Sequence, residues 1–309
     1  MNTALKSYSP WRLGAPLYMP GNRRDIIDIA NGDKYPMLRS MIFCTEDAVA
    51  TIDVDSCLRH LGLCLQGFKE SPHRYRFIRA RNPEILARLL TLPHIENIDG
   101  FVLPKFNESV FHAYFDQLKD TPFKVMPTLE TQDVFDNSAM TELRQALLQE
   151  DIAQRIITLR IGGNDLMNLL GLRRTKSCTL YETPLGVVIS QLVTIFKPYG
   201  FSLSAPVFEY LNDAATLQKE IMLDLAHGLI GKTAIHPTQV PLIESAYAVD
   251  NEDYEMAHAL CEQAAPAVFR MHDAMCEVAT HQQWAQNILN RQHCYGLNDN
   301  LPLKECIEF

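Results

Sequence analysis

The sequence predicts an α/β fold, a (β/α)8 TIM barrel with additional C-terminal helices. Eight short apolar segments alternate with longer amphipathic stretches between residues 16 and 235, which is the pattern of parallel strands joined by helices. A count of eight over about 220 residues matches a closed barrel. The competing open, doubly wound sheet is disfavoured because no G-x-G-x-x-G motif follows the first segment and there is no P-loop.

The predicted strands end at turn residues, such as Pro20-Gly21-Asn22 after the first and Gly162-Gly163 after the sixth. After Pro237 the strand pattern stops, and residues 242–247 and 253–277 are predicted to be helical. We therefore expect a barrel domain over residues 1–240. Residues 241–309 are expected to form a helical extension packed on the barrel or on a neighbouring subunit. The eight predicted strands are residues 16–19, 40–44, 75–81, 100–103, 123–127, 155–161, 201–204 and 230–235.

Composition and charge narrow the functional class. The formal net charge of -9 argues against a general binder of nucleic acid or membrane surfaces. No apolar run is long enough to cross a bilayer, and the first 20 residues lack the apolar core of a signal peptide. The eight cysteines are scattered without a C-x-x-C pair, which is typical of reduced thiols. We expect a cytoplasmic protein.

Charged side chains follow five of the predicted strands. Because the carboxyl ends of barrel strands converge at one face, these groups are expected to share a pocket. An acid at such an end is a site candidate, although Asn164 and Asp165 could instead cap the following helix. The set comprises Glu46, Asp47, Arg79, Arg81, Lys105, Glu130 and Asp165.

Glu130 and Asp165 are the candidate metal ligands. They follow adjacent predicted strands, and hard carboxylate oxygens suit an octahedral Mg²⁺ that keeps several waters. The alternative is a pair of acids at helix starts that face the helix dipole.

The basic residues are candidates for binding an anionic substrate. Arg79 and Arg81 are two apart, so on a strand they would face the same side and could clamp a carboxylate. An interior salt bridge to Glu46 or Asp47 is the alternative. Lys105 could form a Schiff base or act as a charge partner. A basic cluster just beyond the sixth strand could meet phosphates or form a solvated loop; it comprises Arg173, Arg174 and Lys176.

Three segments resemble the citrate lyase beta-subunit family, the wider group of citramalyl- and malyl-CoA lyases and HpcH/HpaI-type aldolases. Residues 17–22 read LYMPGN, residues 43–49 read FCTEDAV, and residues 228–240 read GLIGKTAIHPTQV. The resemblance covers about residues 15 to 265 in the family's order. It implies a Mg²⁺-dependent TIM barrel that makes or breaks a carbon–carbon bond next to a carbonyl.

The resemblance also implies roles for individual residues. Glu130 and Asp165 match the metal glutamate and aspartate, and Arg79 is the nearest match to the arginine that holds the substrate carboxylate. Glu46 and Asp47 match the acidic pair beside that arginine. Gly163 and Asn164 precede the metal aspartate and are expected to contact substrate. This chain departs from the family pattern at Cys44, where an aspartate is usual, and at Asn164, where glutamate or alanine is commoner.

The working hypothesis is a Mg²⁺-dependent lyase or aldolase that acts on a small 2-oxo or hydroxy acid, or on its acyl-CoA or acyl-carrier thioester. Its general base would be Glu46, Asp47 or a residue from another subunit, since homo-oligomers are common in the family. One alternative is a metal-independent Schiff-base aldolase on Lys105. Another is a barrel that binds a ligand without turnover, which Cys44 and the altered surroundings of Asp165 motivate.

Overall fold

Seven parallel strands surround the axis of the larger of two structural units. The structure, a computed structural model, describes residues 8–298. Each strand is hydrogen-bonded to the next one in sequence, as in a barrel. The strands are β1 (Leu17–Pro20), β2 (Ser40–Cys44), β3 (Tyr75–Arg79), β4 (Gly100–Leu103), β5 (Lys124–Leu129), β6 (Leu159–Ile161) and β7 (Leu203–Ser204).

The eighth predicted strand closes the barrel. On one side Ile230 N donates to Leu203 O at 2.8 Å, and on the other Tyr18 N donates to Ala234 O at 2.9 Å. The segment makes isolated bridges rather than a regular ladder, and Gly231 interrupts it with a φ of 62°. The predicted TIM barrel is confirmed, with its last strand reduced to bridges.

Helices follow the strands. Two of them begin at asparagines whose side chains accept a hydrogen bond from the first turn, Asn82 from Ile85 N at 2.8 Å and Asn107 from Val110 N at 3.3 Å. The α-helices that begin before residue 243 are α1 (Ile26–Asn31), α2 (Val54–Leu65), α3 (Pro83–Leu90), α4 (Glu108–Leu118), α5 (Asn137–Leu147), α6 (Glu150–Ala153), α7 (Gly163–Leu169), α8 (Leu185–Phe196), α9 (Ala214–Ala226) and α10 (Gln239–Ala246).

Part of the core of the barrel unit consists of apolar side chains, whereas polar side chains lie at the carboxyl ends of the strands. The polar groups therefore lie at the end of the barrel where TIM-barrel active sites are built. The apolar cluster consists of Leu13, Ile42, Tyr75, Phe77, Val102, Met126 and Ile157.

The chain divides into Met1–Ile243 and Glu244–Phe309. The second unit contains α11 (Asn251–Cys261), strands β8 (Val268–Met271) and β9 (Ala274–Glu277), and α12 (Val278–Tyr295). The prediction of a helix over residues 253–277 is therefore wrong in its second half. His272 and Asp273 both have positive φ, 46° and 61°, which suits a two-residue hairpin turn.

The second unit has a core of its own, formed where α11, β9 and α12 meet. The core residues are Val249, Ala257, Leu260, Cys276, Ala285 and Ile288.

Within the described residues, no helix is long and apolar enough to cross a membrane.

Candidate active site at the carboxyl ends of the strands

A cavity of about 260 Å³ opens at the carboxyl ends of the barrel strands. It brings together five of the seven charged residues that the sequence singled out, from four different strand ends, whereas Arg81 and Lys105 are not part of its lining. Its lining includes Tyr18, Cys44, Glu46, Asp47, Arg79, Thr128, Glu130, Arg160, Gly163, Asn164, Asp165 and Thr233.

Arg79 and Glu130 form the buried centre of the cavity. Arg79 Nη2 donates to Glu130 Oε1 at 3.0 Å and lies 2.6 Å from Glu46 Oε2. Arg79 Nη1 donates to the Tyr18 hydroxyl at 3.3 Å. These partners fix the guanidinium at the end of β3, with its side chain only 11% exposed. A buried arginine held by two carboxylates has little freedom to reorient.

The acidic pair after β2 splits into a buried and an exposed member. Glu46 is 2% exposed and contacts both Arg79 and Lys105, whose Nζ lies 2.5 Å from Glu46 Oε1. The side chain of Asp47 is 67% exposed and lies 4.0 Å from Arg79 Nη2 and 3.9 Å from Lys105 Nζ. Glu46 is thus paired with two cations, while the side chain of Asp47 is open to solvent.

Lys105 links the acids of three strand ends. Its backbone N–H donates to Glu130 Oε1 at 2.8 Å, and its Nζ lies 4.0 Å from Asp165 Oδ1. A φ of 47° turns the backbone N–H toward the glutamate. Burial alone would lower the pKa of Lys105, but its hydrogen bond to Glu46 and the charges of Glu46, Asp47 and Asp165 raise it instead.

Asp165 faces the same cavity from the first turn of α7. The position that caps α7 is Gly162, which has no side chain, and Asn164 and Asp165 lie inside the helix. A Cβ at Gly162 would fall 2.3 Å from Glu130 Oε2. The absence of a side chain at Gly162 therefore leaves room for the Glu130 carboxylate beside the turn.

The two predicted metal ligands fit a hard cation. Burial, together with the smaller effect of the Asp165 charge, raises the pKa of Glu130 to about 7, against the opposing effect of Arg79. A cation between the carboxylates would offset this repulsion. No group of three or more His, Cys, Asp and Glu side chains could hold a metal in residues 8–298. Two carboxylates completed by water suit Mg²⁺.

Two basic residues, Arg81 and Arg174, lie elsewhere than expected, whereas Arg173 and Lys176 are exposed, as in a solvated loop. Arg81 follows the end of β3, so the alternation of the strand does not carry it into the cavity; it donates to the carbonyls of Glu46 and Val49, both at 3.2 Å. Arg174 does not belong to a solvated or phosphate-binding loop, because it is buried against Glu220.

Arg160 is a cavity residue that the sequence reasoning missed. It lies within β6 and is 4% exposed, and its Nη2 donates to Thr233 Oγ1. The signal was an arginine two residues before the Gly162 turn of an otherwise apolar strand.

Comparison with known proteins agrees with the fold. The (3S)-malyl-CoA thioesterase of Cereibacter sphaeroides is 23% identical over 245 residues, which are 78% of this chain and 79% of that protein. The protein CitE from Mycobacterium tuberculosis, in complex with magnesium, acetoacetate and coenzyme A, has a TM-score of 0.67 at 19% identity, covering 94% of this chain and 100% of that chain. Haloferax volcanii malate synthase, in a magnesium/glyoxylate complex, has a TM-score of 0.63 at 12% identity, covering 75% and 74%.

The sequence model of the C–C bond lyases of the TIM-barrel fold matches residues 7–297. This match confirms the resemblance seen in the three motifs and spans both structural units. The chain therefore belongs to the C–C bond lyase family of the TIM-barrel fold.

Proposed function

We propose that the protein is a Mg²⁺-dependent lyase or aldolase that makes or breaks a carbon–carbon bond in a small 2-oxo or hydroxy acid, or in its acyl thioester. The observation that carries this proposal is the placement of Glu130, Asp165 and Arg79 around one cavity. The magnesium complexes of CitE and malate synthase, which share the fold, support it.

Glu130 and Asp165 would hold the metal, with water and substrate oxygens completing its shell. Bound Mg²⁺ supplies positive charge next to the carbonyl oxygen, where negative charge develops when the bond breaks. Gly163 and Asn164 line the same rim and are proposed to contact substrate beside Asp165.

Arg79 is proposed to bind the substrate carboxylate. Its partners Glu46 and Glu130 hold the guanidinium at 2.6 and 3.0 Å before substrate arrives. A binding group that is already oriented loses less side-chain entropy on binding. Arg81 lies outside the cavity lining and is proposed instead to support the loop that carries Glu46.

Asp47 is the better candidate for the proton acceptor within this chain. Glu46 is engaged by Arg79 and Lys105, so taking up a proton would disrupt two charge-assisted contacts. Asp47 lines the cavity, and the nearest cation to it among residues 8–298 is Lys105 at 3.9 Å.

The Schiff-base alternative is weakened by the surroundings of Lys105. A nucleophilic amine must be neutral, whereas the contact with Glu46 favours the ammonium form. Lys105 is proposed to hold Glu46 and to meet the substrate's negative charge. Because a malyl-CoA thioesterase is among the relatives, hydrolysis of a thioester is a second candidate activity.

The test is to incubate the protein with Mg²⁺ and a panel of 2-oxo acids, hydroxy acids and acyl-CoA esters, with products identified by mass spectrometry. Chelation and Glu130→Gln should each abolish carbon–carbon cleavage, with a loss of about a hundredfold or more. Trapping of the protein by borohydride and substrate would favour Lys105 chemistry. Release of free CoA without cleavage would favour thioesterase activity, and a bound ligand that never turns over would indicate a binding protein.

We also propose that the protein forms homo-oligomers, as members of the family commonly do. A cytoplasmic location is proposed because the cysteines among the described residues are free thiols. Size-exclusion chromatography coupled to light scattering measures the first.

A further inference from the structure

Tyr18 on β1 lies in the cavity wall in contact with both arginines that line the cavity. Its ring centroid lies 5.8 Å from Arg79 Cζ and 5.2 Å from Arg160 Cζ. The ring also packs against the apolar cluster of the barrel, which includes Ile42, its register partner on β2. The core of the barrel therefore holds the phenol in place, and its polar end faces the cavity.

The hydroxyl group of Tyr18 has a proton that no protein group takes up. It accepts a hydrogen bond from Arg79 Nη1 at 3.3 Å and donates to no acceptor in residues 8–298. A phenol can donate as well as accept, so this proton is available to a molecule in the cavity. Three other hydroxyl groups of the barrel unit donate to the protein, those of Tyr8 to Asp99, Tyr181 to Asp224 and Tyr210 to the carbonyl of Arg174.

Arg160 carries a buried positive charge that no acid of the described chain balances. It is 4% exposed, it donates to the Thr233 hydroxyl, and its Nη1 has no hydrogen-bond partner in residues 8–298. A cation–π contact offsets only part of the cost of burying a charge. If Tyr18 lost its proton, the negative charge would spread over the ring that Arg160 contacts. Arg160 thus stabilises the product of a proton transfer from Tyr18 more than the starting state.

The proposed reaction requires two proton transfers. The substrate hydroxyl loses its proton as its C–O bond becomes a carbonyl. The electron pair of the broken carbon–carbon bond stays on the carbon next to the other carbonyl, and this carbon must then gain a proton. Asp47 is the proposed acceptor of the first proton, and it lies 4.0 Å from Arg79 Nη2, whereas Tyr18 contacts Arg79 Nη1. The two groups therefore flank the guanidinium that is proposed to hold the substrate.

We propose that Tyr18 is the catalytic acid that delivers the second proton to carbon. This inference rests on the proposed function and names a further residue of the same site. The O–H bond of Tyr18 breaks, and a C–H bond forms with the electron pair that the cleaved bond left behind. Arg79 and Arg160 hold the resulting phenolate. Water then returns a proton to Tyr18 while Asp47 releases its proton to water, so the protein ends in its starting state.

The test measures the exchange of carbon-bound protons with solvent, because the same group must catalyse the transfer in reverse. Pyruvate and acetyl-CoA are incubated separately with the Mg²⁺-loaded protein in deuterium oxide, and proton NMR follows the loss of each methyl signal. The native protein should catalyse exchange in at least one of them. Tyr18→Phe should lower that rate at saturation by about a hundredfold or more. The Kd of the same probe, from titration calorimetry, should stay unchanged, because phenylalanine keeps the ring that both arginines contact.

Tyr8→Phe is the matched control. It removes a hydroxyl group that donates to Asp99 Oδ1 at 2.9 Å, away from the cavity lining, and should leave the exchange rate and the Kd unchanged. Urea denaturation of both variants checks that they fold. Arg160→Met removes one of the two charges beside the phenolate and should lower the exchange rate by a smaller factor than Tyr18→Phe. It gives a second reading if Tyr18→Phe fails to fold.

Native exchange rates in Tyr18→Phe, or a rise in Kd that accounts for the whole loss of rate, would overturn the proposal. Loss of exchange in Cys44→Ala but not in Tyr18→Phe would also overturn it, by assigning the proton to the thiol that lines the same cavity.

Failure of the proposed function gives a different result. If exchange survives chelation, the role of Mg²⁺ fails, whereas the comparison of Tyr18→Phe with the native protein still decides the role of Tyr18. If the native protein binds a probe with Mg²⁺ but catalyses no exchange, the metal site stands and the Tyr18 proposal fails. Absence of both binding and exchange would overturn both.

Discussion

Glu130 shows how single residues in this cavity depend on their neighbours. Its carboxylate is buried between a cation, Arg79, and a second acid, Asp165, and the net result is a pKa raised from 4.5 to about 7. In the metal-free protein the folded state therefore retains a proton that the unfolded state loses between about pH 4.5 and 7. Stability from this group is present at low pH and is lost as the pH rises through about 7.

This pH dependence can be measured directly. In chelator-treated protein, the free energy of unfolding should fall between about pH 4.5 and 7 by more in the native protein than in Glu130→Gln, which cannot titrate. Urea denaturation at a series of pH values gives both curves. Parallel curves would show that Glu130 keeps an ordinary pKa in the folded state.

Gly162 is the second residue whose identity the site requires. Gly162→Ala would place a Cβ 2.3 Å from Glu130 Oε2 and 2.4 Å from Glu130 Cβ, so the carboxylate must move. We expect loss of Mg²⁺ binding by roughly tenfold or more, because a proposed ligand is displaced.

Gly62→Ala is the matched control for that variant. Gly62 lies in α2, and its added Cβ would meet only Leu92 Cδ2 at 3.5 Å. Stability should rise by up to about 1 kcal/mol with Mg²⁺ affinity unchanged. Titration calorimetry measures the Mg²⁺ affinity of both variants, and urea denaturation measures their stability. Unchanged Mg²⁺ affinity in Gly162→Ala would contradict the placement of Glu130.

The positions of individual candidate residues were predictable where they follow a strand and less so inside one. Glu130 and Asp165 were identified because acids stand directly after apolar segments. Arg81 was expected beside Arg79 by strand alternation, which stops at Arg79. Arg160 was missed because its inward direction depends on its register with Thr128 and Ser204.

At the scale of elements, a buried charge network connects α9 to the closing segment of the barrel. Lys232 Nζ donates to Glu220 Oε1 at 2.8 Å and to Asp224 Oδ2 at 2.9 Å. Arg174 also binds Glu220, and its Nη2 donates to the carbonyl of Val207 at 3.0 Å. Val207 lines the cavity, so the network positions a cavity wall.

Removing one acid from the network should be costly. Glu220→Ala leaves Arg174 and Lys232 buried with too few counter-charges, and we expect a loss of about 3–5 kcal/mol in the free energy of unfolding. Asp55→Ala, which breaks the exposed pair with Arg88, should cost far less, because solvent screens an exposed ion pair. Guanidinium denaturation measures both; equal losses would mean that the network adds little to stability.

The elements themselves were largely predictable. Strand positions follow from apolar runs bounded by turn residues, and seven of the eight appear in the sheet. The hairpin of β8 and β9 was not foreseen, because its residues also fit a helical pattern and its turn uses His272 and Asp273 rather than glycine.

At the scale of the whole molecule, the two units have separate hydrophobic cores. Cys57 is buried in the first unit, where burial raises its pKa to about 12, and Cys276 lies in the core of the second. A small core buries a smaller fraction of its apolar surface and is less stable.

Thiol labelling should therefore report two transitions. Exposed Cys261 should react at once, Cys276 at intermediate urea concentration, and Cys57 only on unfolding of the barrel. Mass spectrometry of alkylated peptides follows each site. Labelling of Cys276 and Cys57 at the same urea concentration would show that the two units unfold together.

The sequence by itself determined the barrel, its strand positions, the family, and the acids and arginine that follow strands, because these depend on local periodicity and on residue order. Tertiary structure decided the separation of Glu46 from Asp47, the burial of Arg174, and the contact of Arg160 with the Tyr18 ring. Those features depend on which side chains from distant segments of the chain come into contact. Strand register across the closed barrel decides this, and the register exists only when the chain has folded.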